Sequence, residues 1–328
     1  MCKYHRQFSI IGAGAIGHLW ACSFQRQKFP YRLYTRHQQT PTSIEFLSPQ
    51  IKWQSTITYT PLCQWQTADV LLICVKAQQL TSLCEQLHHH LNQPNQASQS
   101  SNDSTLPGFT KESRAFKRPT YPAIILMMNG LGLTDIVQHY LPGAPVVHAA
   151  VTHGVKRLKN QLIYTGSGQT LLGEMSHQNL KAKFAPIIAP LNQALPEVIW
   201  NEKHETTLYL KLITNAIINP VTALLQCKNG QILNNNQLIP TANALLEELF
   251  PLLEKLIPQF DPAEIRQNII RVAKATAENS SSMKEDVLKK RTTEIDFING
   301  HLLKLAKKHA INLPKNHQII QQIKRLAH

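Results

Sequence analysis

The sequence predicts an α/β protein of two parts, a parallel sheet covered by helices and then an all-α domain. A glycine-rich turn directly follows the apolar strand Phe8–Ile11, and short apolar runs at 70–75 and 123–128 are typical of parallel strands buried on both faces. After about Trp200 the apolar residues recur at helical spacing instead. Since 328 residues suffice for two domains, we place them at 1–200 and 201–328.

The composition is that of a globular protein with surplus positive charge. The formal net charge is +14, and 43% of the residues are hydrophobic. The basic residues are spread along the chain without interleaved aromatics, which argues against nucleic acid and fits an anionic small molecule or cofactor. No apolar stretch reaches the roughly 20 residues that a membrane span requires. The cysteines show neither close pairing nor metal-ligand spacing, so we expect a cytoplasmic protein without a metal.

The glycine-rich turn has the order strand, turn and helix that a dinucleotide fingerprint requires. Gly12 permits the tight turn, Gly14 lets the backbone approach a pyrophosphate, and Gly17 allows close packing of helix and strand. We therefore predict a Rossmann-like domain that binds the cofactor through Gly12, Ala13, Gly14, Ala15, Ile16 and Gly17.

The second strand, Tyr31–Thr35, ends about twenty residues beyond the glycines, where an NAD enzyme usually carries Asp or Glu. Here the residues are Thr35 and Arg36. A guanidinium suits a 2′-phosphate, so NADPH is favoured over NADH. The alternative for Arg36 is a solvated loop cation.

Lys76 and Asn129 follow two of the apolar runs, at the edge where open α/β sheets bind ligands. Asn129 also begins a turn with two glycines, close to the expected position of nicotinamide. Between these strands, about residues 92–122 are rich in Asn, Gln, Ser and Pro, which predicts a surface loop without a core. A tolerated insertion and a regulatory or partner-binding segment are both open.

The run Leu208–Val221 is apolar apart from a stripe of Lys211, Asn215 and Asn219, each four positions after the last. A helix with apolar remaining faces should be buried, and buried polar groups need partners. The stripe therefore indicates a ligand cavity with Lys211 as a buried acid. Alternatively, the three groups satisfy one another or a neighbouring loop.

Further helices are expected over Thr241–Ile257 and from Asp261 to about Glu278, where Asp261 caps the helix and a proline lies in its first turn. A following helix should carry residues 293–296 and either end near residues 299–300 or continue to His309. On it, Glu294 would share a face with Ile298, His301 and Leu305. Glu294 is then either a buried carboxylate with a raised pKa or a surface glutamate near a helix start.

Together these residues resemble the ketopantoate reductase family, the 2-dehydropantoate 2-reductases of pantothenate synthesis. The resemblance runs from Gly12 to about Lys324 and is interrupted mainly by the polar insertion. Its most specific segments are 211–220, 227–230, 277–286 and 291–300.

The resemblance implies that Lys211 is the proton donor and that Glu294 is a catalytic carboxylate where cofactor and substrate meet. It assigns substrate binding to Lys211, Asn129, Asn215, Asn219, Asn229, Asn279 and Ser282. Besides the glycine turn, it assigns NADPH binding to Arg36, Lys76, Asn129, Val155 and Glu294. The family often has Thr-His-Ala-Ala where this chain has Thr-His-Gly-Val, so Val155 is expected to contact the cofactor through its backbone. A monomer or homodimer is expected.

The implied chemistry agrees with the residue types. NADPH would deliver hydride to the 2-oxo carbon, and Lys211 would hydrogen-bond the ketone oxygen and transfer a proton to it. Burial would lower the pKa of Lys211 from about 10.4 and ease that transfer. Two alternatives remain: a reductase of another 2-oxo acid, a 3-oxo acid or an imine, and a non-catalytic NADPH sensor.

Overall fold

A computed structural model describes residues 6–92, 121–175 and 179–327 of the chain. The polar insertion lies almost wholly outside the described residues, so its expected character stays a prediction. The strands of the described part are β1 (Phe8–Ile11), β2 (Tyr31–Thr35), β3 (Thr42–Leu47), β4 (Lys52–Ile57), β5 (Tyr59–Pro61), β6 (Val70–Ile73), β7 (Ala123–Leu126), β8 (Val146–Val151), β9 (Gly154–Leu158), β10 (Gln161–Gly166), β11 (Thr170–Gly173) and β12 (Val198–Trp200). The helices are α1 (Ala15–Arg26), α2 (Leu80–Asn92), α3 (Leu133–Tyr140), α4 (Lys181–Ala194), α5 (His204–Leu224), α6 (Leu238–Leu256), α7 (Pro262–Ala275), α8 (Ser282–Leu288), α9 (Asn299–Lys308) and α10 (Pro314–Ala327).

Eight described strands form the main sheet, in the order β12-β11-β8-β7-β6-β1-β2-β5. The six strands from β8 to β5 pair in parallel, whereas β11 runs antiparallel to β8. Every residue of β1, β6 and β7 is buried, as expected of strands covered on both faces. The Rossmann-like prediction is thereby confirmed, and the carboxyl ends of β1, β6 and β7 lie along one edge.

A second sheet, not predicted from the sequence, has the order β4-β3-β10-β9. Helix α1 contacts β4, β9 and β10 of this sheet. Ile44, Ile57 and Leu162 of this sheet belong to the same apolar cluster as Trp20 of α1. The second sheet therefore buries the outer face of the helix that follows the glycine turn.

The C-terminal part is helical, as predicted. Its centre is α5, which contacts α6, α7, α8 and α10. Fourteen of its residues are buried, which explains why its sequence is apolar on nearly every face. None of the described helices has both the length and the hydropathy to cross a membrane.

The local helix predictions met mixed outcomes. Helix α6 matches closely, and the Asp261 side chain accepts a hydrogen bond of 2.8 Å from Ala263 N at the start of α7. However, α7 ends at Ala275, three residues before the expected end. The unpredicted helix α8 is capped by Ser281, whose hydroxyl accepts from Lys284 N.

The predicted helix was wrong over residues 293–296, and only its continuation towards His309 is helical. This stretch forms turns, and α9 begins only at Asn299. The Phe297 carbonyl accepts a hydrogen bond of 3.2 Å from Leu131 N, and a Cβ on Gly130 would lie 2.7 Å from Phe297 Cβ. Contacts with a loop of the sheet domain therefore fix the turn, and Glu294 does not lie on a helical face.

Candidate active site

The turn after β1 is shaped by close backbone contacts. Gly12 has φ of +109°, and a Cβ there would lie 2.8 Å from the Cys74 backbone. A Cβ on Gly17 would lie 1.9 Å from the Gly12 carbonyl oxygen. A Cβ on Gly14 would meet nothing closer than the Cys74 oxygen at 3.9 Å. Packing thus requires Gly12 and Gly17 to be glycine, whereas the space at Gly14 is open.

A groove of about 250 Å³ lies beside this turn, at the ends of β1, β2 and β6. Its walls include Gly12, Ala13, Thr35 and Arg36, and the described residues that line it include no acidic side chain. The groove can therefore accept a phosphate next to the Arg36 guanidinium. Val155, on β9, is half-buried and packs against the apolar cluster behind the turn.

Two side chains behind the glycine turn were not found from the sequence. Arg157 Nη1 donates a hydrogen bond of 2.5 Å to the Ala13 carbonyl. His18 Nδ1 donates to the Gly14 carbonyl at 2.9 Å, and His18 Nε2 accepts from the Tyr59 hydroxyl at 3.0 Å. Burial, followed by the Arg157 charge, lowers the pKa of His18 to about 4, which keeps it neutral. Arg157 is 144 residues from Ala13 in sequence, so no local signal could have revealed the contact.

Lys211 lies in a narrow cleft between the two parts of the chain. Its Nζ donates a hydrogen bond of 2.7 Å to the Val151 carbonyl at the end of β8. The cleft measures about 10 Å³, room for one water at most. Burial lowers the pKa of Lys211 to about 8, while the Glu294 charge opposes that shift. Lys211 can therefore give up its proton near neutral pH.

Glu294 connects the helical part to two strand ends. Its Oε1 accepts a hydrogen bond from Ala77 N at 3.2 Å, and its Oε2 accepts from Asn129 Nδ2 at 3.4 Å. Burial raises the pKa of Glu294, while these hydrogen bonds and the Lys76 charge act against the rise. Of the two readings from the sequence, the structure shows the buried carboxylate.

Lys76 faces the helical part and does not line the groove beside Arg36. Its Nζ forms an ion pair with the buried carboxylate of Asp286, whose other oxygen lies 3.2 Å from Arg291 Nη2. Asp286 stands in a segment that the sequence singled out, yet nothing in its spacing pointed to a partner across the two domains.

The remaining predicted residues fall into two groups. Asn215 lines the Lys211 cleft together with Asn129. One turn further along α5, Asn219 is buried. No hydrogen bond links Lys211, Asn215 and Asn219 to one another in the described part, so mutual satisfaction does not explain this stripe.

The second group lies beyond the C-terminal end of α5. Asn229 N donates to the Asn279 carbonyl at 3.0 Å, and Asn229 Nδ2 donates to Thr276 Oγ1 at 3.0 Å. The Asn229 Oδ1 atom is buried and has no partner among the described residues. Asn279 and Ser282 are exposed. The structure thus brings Asn129, Lys211, Asn215 and Glu294 together. The other predicted residues lie further from Lys211: Asn219 is one turn along α5, Asn229 follows the end of α5, and Asn279 and Ser282 lie at the start of α8.

Family models match nearly all of the chain. One described as "Ketopantoate reductase PanE/ApbA" matches residues 8–177, and one described as "Ketopantoate reductase PanE/ApbA C terminal" matches residues 203–327. Among curated proteins, the 2-dehydropantoate 2-reductase of Vibrio cholerae is 32% identical over 97% of this chain and 96% of its own length. The enzyme of the same name from Escherichia coli O157:H7 is 28% identical, over 97% of this chain and 94% of its own length.

Solved structures share the fold. A ketopantoate reductase of the PanE/ApbA family from Ralstonia eutropha JMP134 superposes with a TM-score of 0.77 at 19% identity, covering 98% of both chains. A D-mandelate dehydrogenase solved with NADH and anilino(oxo)acetate superposes with a TM-score of 0.79 at 15% identity, also covering 98% of both chains.

Proposed function

The chain belongs to the ketopantoate reductase family, and we propose that it reduces 2-dehydropantoate to pantoate with NADPH, using Lys211 as the proton donor. The family relationship over nearly the whole chain supports the reaction. The observation that carries the role of Lys211 is its amine in the cleft, where burial lowers its pKa to about 8. A donor with such a pKa is well matched to proton transfer near neutral pH.

The residues beside the glycine turn fit NADPH. The turn offers open space at Gly14 for a pyrophosphate, and Arg36 stands where a 2′-phosphate is expected. Lys76 is proposed to add positive charge from the neighbouring strand end, while Val155 contributes backbone from β9. When bound, NADPH supplies the hydride that adds to C2 of the substrate.

The substrate is proposed to lie between Asn129 and Lys211, with its ketone oxygen towards the lysine amine. Negative charge develops on this oxygen during hydride addition, and an ammonium group at hydrogen-bond distance stabilises it. To reach it, Lys211 must exchange its bond with the Val151 carbonyl, or use one of its other two donors. Glu294 is proposed to hold Asn129 in place and to favour the charged form of Lys211.

The remaining polar groups are proposed to orient the rest of the substrate. Asn215 and Asn219 follow Lys211 on the same face of α5, and Asn219 is buried. Asn229, Asn279 and Ser282 lie beyond the C-terminal end of α5. Their neutral donors can hold a carboxylate or hydroxyl without adding formal charge.

We also propose a domain boundary, a cellular location and an oligomeric state. The domain boundary is placed at 200/201, between the end of β12 and the start of α5. The protein is proposed to be cytoplasmic, since the cysteines among the described residues are free thiols. It is proposed to act as a monomer or homodimer without nucleic acid.

Steady-state oxidation of NADPH by the full chain tests the reaction. We expect turnover with 2-dehydropantoate, a much lower rate with NADH, and a lower kcat/KM with 2-oxo acids that lack the substrate's hydroxyl group. Similar values for several 2-oxo acids would favour a broader reductase of the same fold. NADPH binding without turnover of any of them would favour a sensor.

A further inference from the structure

His148 occupies an unusual position for a histidine, in the middle of the central strand β8. It is only 3% exposed, and its neighbours in the sheet are Leu126 on β7 and Gly173 on β11. His148 lines the same cleft as Lys211. Both ring nitrogens are buried, and neither makes a hydrogen bond with a described residue. Because a buried polar atom without a partner costs free energy, an unpartnered imidazole on a residue that lines the cleft of a buried amine suggests a function.

A second buried histidine lies beside it. His204 begins α5 and is 2% exposed. It precedes Lys211 by seven residues, which places both on one face of the helix, about 10 Å apart along its axis. A Cβ on Gly173 would lie 2.3 Å from His204 Cβ, and Gly173 pairs with His148. Helix α5 therefore faces β8 at two levels, with Lys211 at Val151 and His204 near His148.

Both imidazoles are neutral at physiological pH. Burial, then the His204 and Lys211 charges, lower the pKa of His148 to about 3. Burial is also the main reason that the pKa of His204 falls to about 4, although the nearby His148 backbone acts in the opposite direction. No ring nitrogen of His204 makes a hydrogen bond of normal geometry with the described residues. A neutral imidazole keeps one nitrogen that can accept a hydrogen bond.

The Lys211 ammonium has donors to spare. It carries three N–H bonds, of which one is used by the Val151 carbonyl. A second would serve the ketone oxygen of the substrate. The titratable groups that interact electrostatically with the amine come from three elements: Glu294 from the turn before α9, His204 from α5 itself, and His148 from β8. Of the two histidines, His148 is the one that lines the cleft.

We propose that His148 is a positioning residue for Lys211, whose imidazole accepts a hydrogen bond from the ammonium group when that group turns towards the substrate. This inference rests on the proposed role of Lys211 as proton donor. In this proposal His148 does not contact the substrate. Its buried ring nitrogen gains a hydrogen-bond partner at the step in which the Lys211 ammonium group acts on the ketone oxygen.

The proposal has a pH-dependent consequence with a definite sign. An acceptor stabilises the charged form of Lys211, so its loss lowers the pKa that the lysine has in the substrate complex. Because the charged form is the proton donor, the rate is lost as pH rises through that pKa. Replacing His148 with an apolar residue should move the alkaline limb of kcat down by about one pH unit. The rate deficit should be about five-fold larger at the midpoint of the wild-type limb than two pH units below it.

The test compares pH profiles of kcat for the full-length protein, His148→Leu, His148→Gln and His204→Leu. Leucine removes the acceptor at similar volume, glutamine retains an acceptor, and His204→Leu removes the other buried imidazole outside the cleft. We expect a downward shift of the limb in His148→Leu, recovery in His148→Gln, and no shift in His204→Leu. Thermal unfolding and NADPH binding check the fold, and His148→Met replaces the leucine variant if that one does not fold.

A rate deficit in His148→Leu that is the same at every pH would overturn the proposal, as would an equal shift in His204→Leu. A raised KM for 2-dehydropantoate with an unmoved limb would make His148 a substrate contact, which also contradicts it. Lys211→Ala separates this inference from its premise. If Lys211→Ala retains the wild-type rate, Lys211 is not the proton donor. If Lys211→Ala is inactive and the alkaline limb of His148→Leu is unmoved, only the role of His148 is refuted.

Discussion

The two ligand-facing regions of this molecule are built in different ways. The groove beside the glycine turn is open, at about 250 Å³, and much of its shape comes from backbone and apolar side chains. The cleft at Lys211 is almost closed, at about 10 Å³, and its reactive amine is hydrogen-bonded to the protein itself. The proposed cofactor groove is therefore open before a ligand binds, whereas the proposed substrate cleft must widen to admit a ketone beside Lys211.

The largest expected effect concerns the closed cleft. Lys211→Ala should lower kcat about 10³-fold, because the proton donor and its charge are both lost. The affinity for NADPH should stay within about two-fold, since Lys211 does not line the open groove. Steady-state rates and NADPH titration measure the two quantities, with Lys203→Ala at the exposed start of α5 as the matched control. A parallel loss of NADPH affinity would show that the two regions are not separable.

Glycine substitutions test whether the open groove is shaped by backbone. Gly17→Ala should destabilise the fold, because the added Cβ would lie 1.9 Å from the Gly12 carbonyl oxygen. Gly14→Ala should leave the melting temperature of the free protein unchanged but weaken NADPH binding about 10²-fold, since its methyl group would occupy the open space. Thermal unfolding with and without NADPH separates these outcomes. Wild-type NADPH affinity in Gly14→Ala would place the pyrophosphate elsewhere.

A substitution at Arg36 tests whether the groove binds the 2′-phosphate of NADPH. Arg36→Asp should weaken NADPH about 10- to 100-fold and change NADH affinity little, since it replaces the cation expected at the 2′-phosphate with an acid. The ratio of the two dissociation constants is the measurement, and Arg26→Asp at the last turn of α1 is a charge-matched control. Equal losses for both cofactors would contradict the phosphate assignment.

The smallest effect concerns the ion pair that joins the two regions. Asp286→Asn should lower stability by about 1 kcal/mol, or a few degrees in Tm. The cost is modest because the Lys76 and Arg291 side chains are 37% and 53% exposed and are therefore screened by solvent. Lys76 would then be released towards the groove, so NADPH affinity should not fall. Glu278→Gln, in the exposed pair with Lys228, should leave Tm unchanged.

The parts of the candidate site that could be predicted from the sequence are those that depend on local patterns. The glycine turn and the stripe of Lys211 and Asn215 each lie within a few residues on one element, so spacing alone identifies them. The turn that carries Glu294 was mistaken for a helix because its conformation depends on the distant loop at Gly130.

Contacts between distant segments account for the other omissions. Strand β3 pairs with β10, more than one hundred residues further along the chain, so neither strand has a hairpin signal towards the other. The contact between Arg157 and Ala13 and the pair of Lys76 with Asp286 likewise join segments that only the folded chain brings together. A histidine at 148 in an apolar strand was itself a signal, but the sequence could not show that it lines the same cleft as Lys211.

The bond from Lys211 to the Val151 carbonyl has a consequence for when the lysine amine becomes free. An uncharged amide oxygen is a moderate acceptor, so water entering the cleft gains little by displacing it. A ketone that is becoming an alkoxide is a much stronger acceptor and can draw the ammonium away. In the proposed mechanism, the ammonium group therefore stays bound to the protein until a substrate ketone enters the cleft.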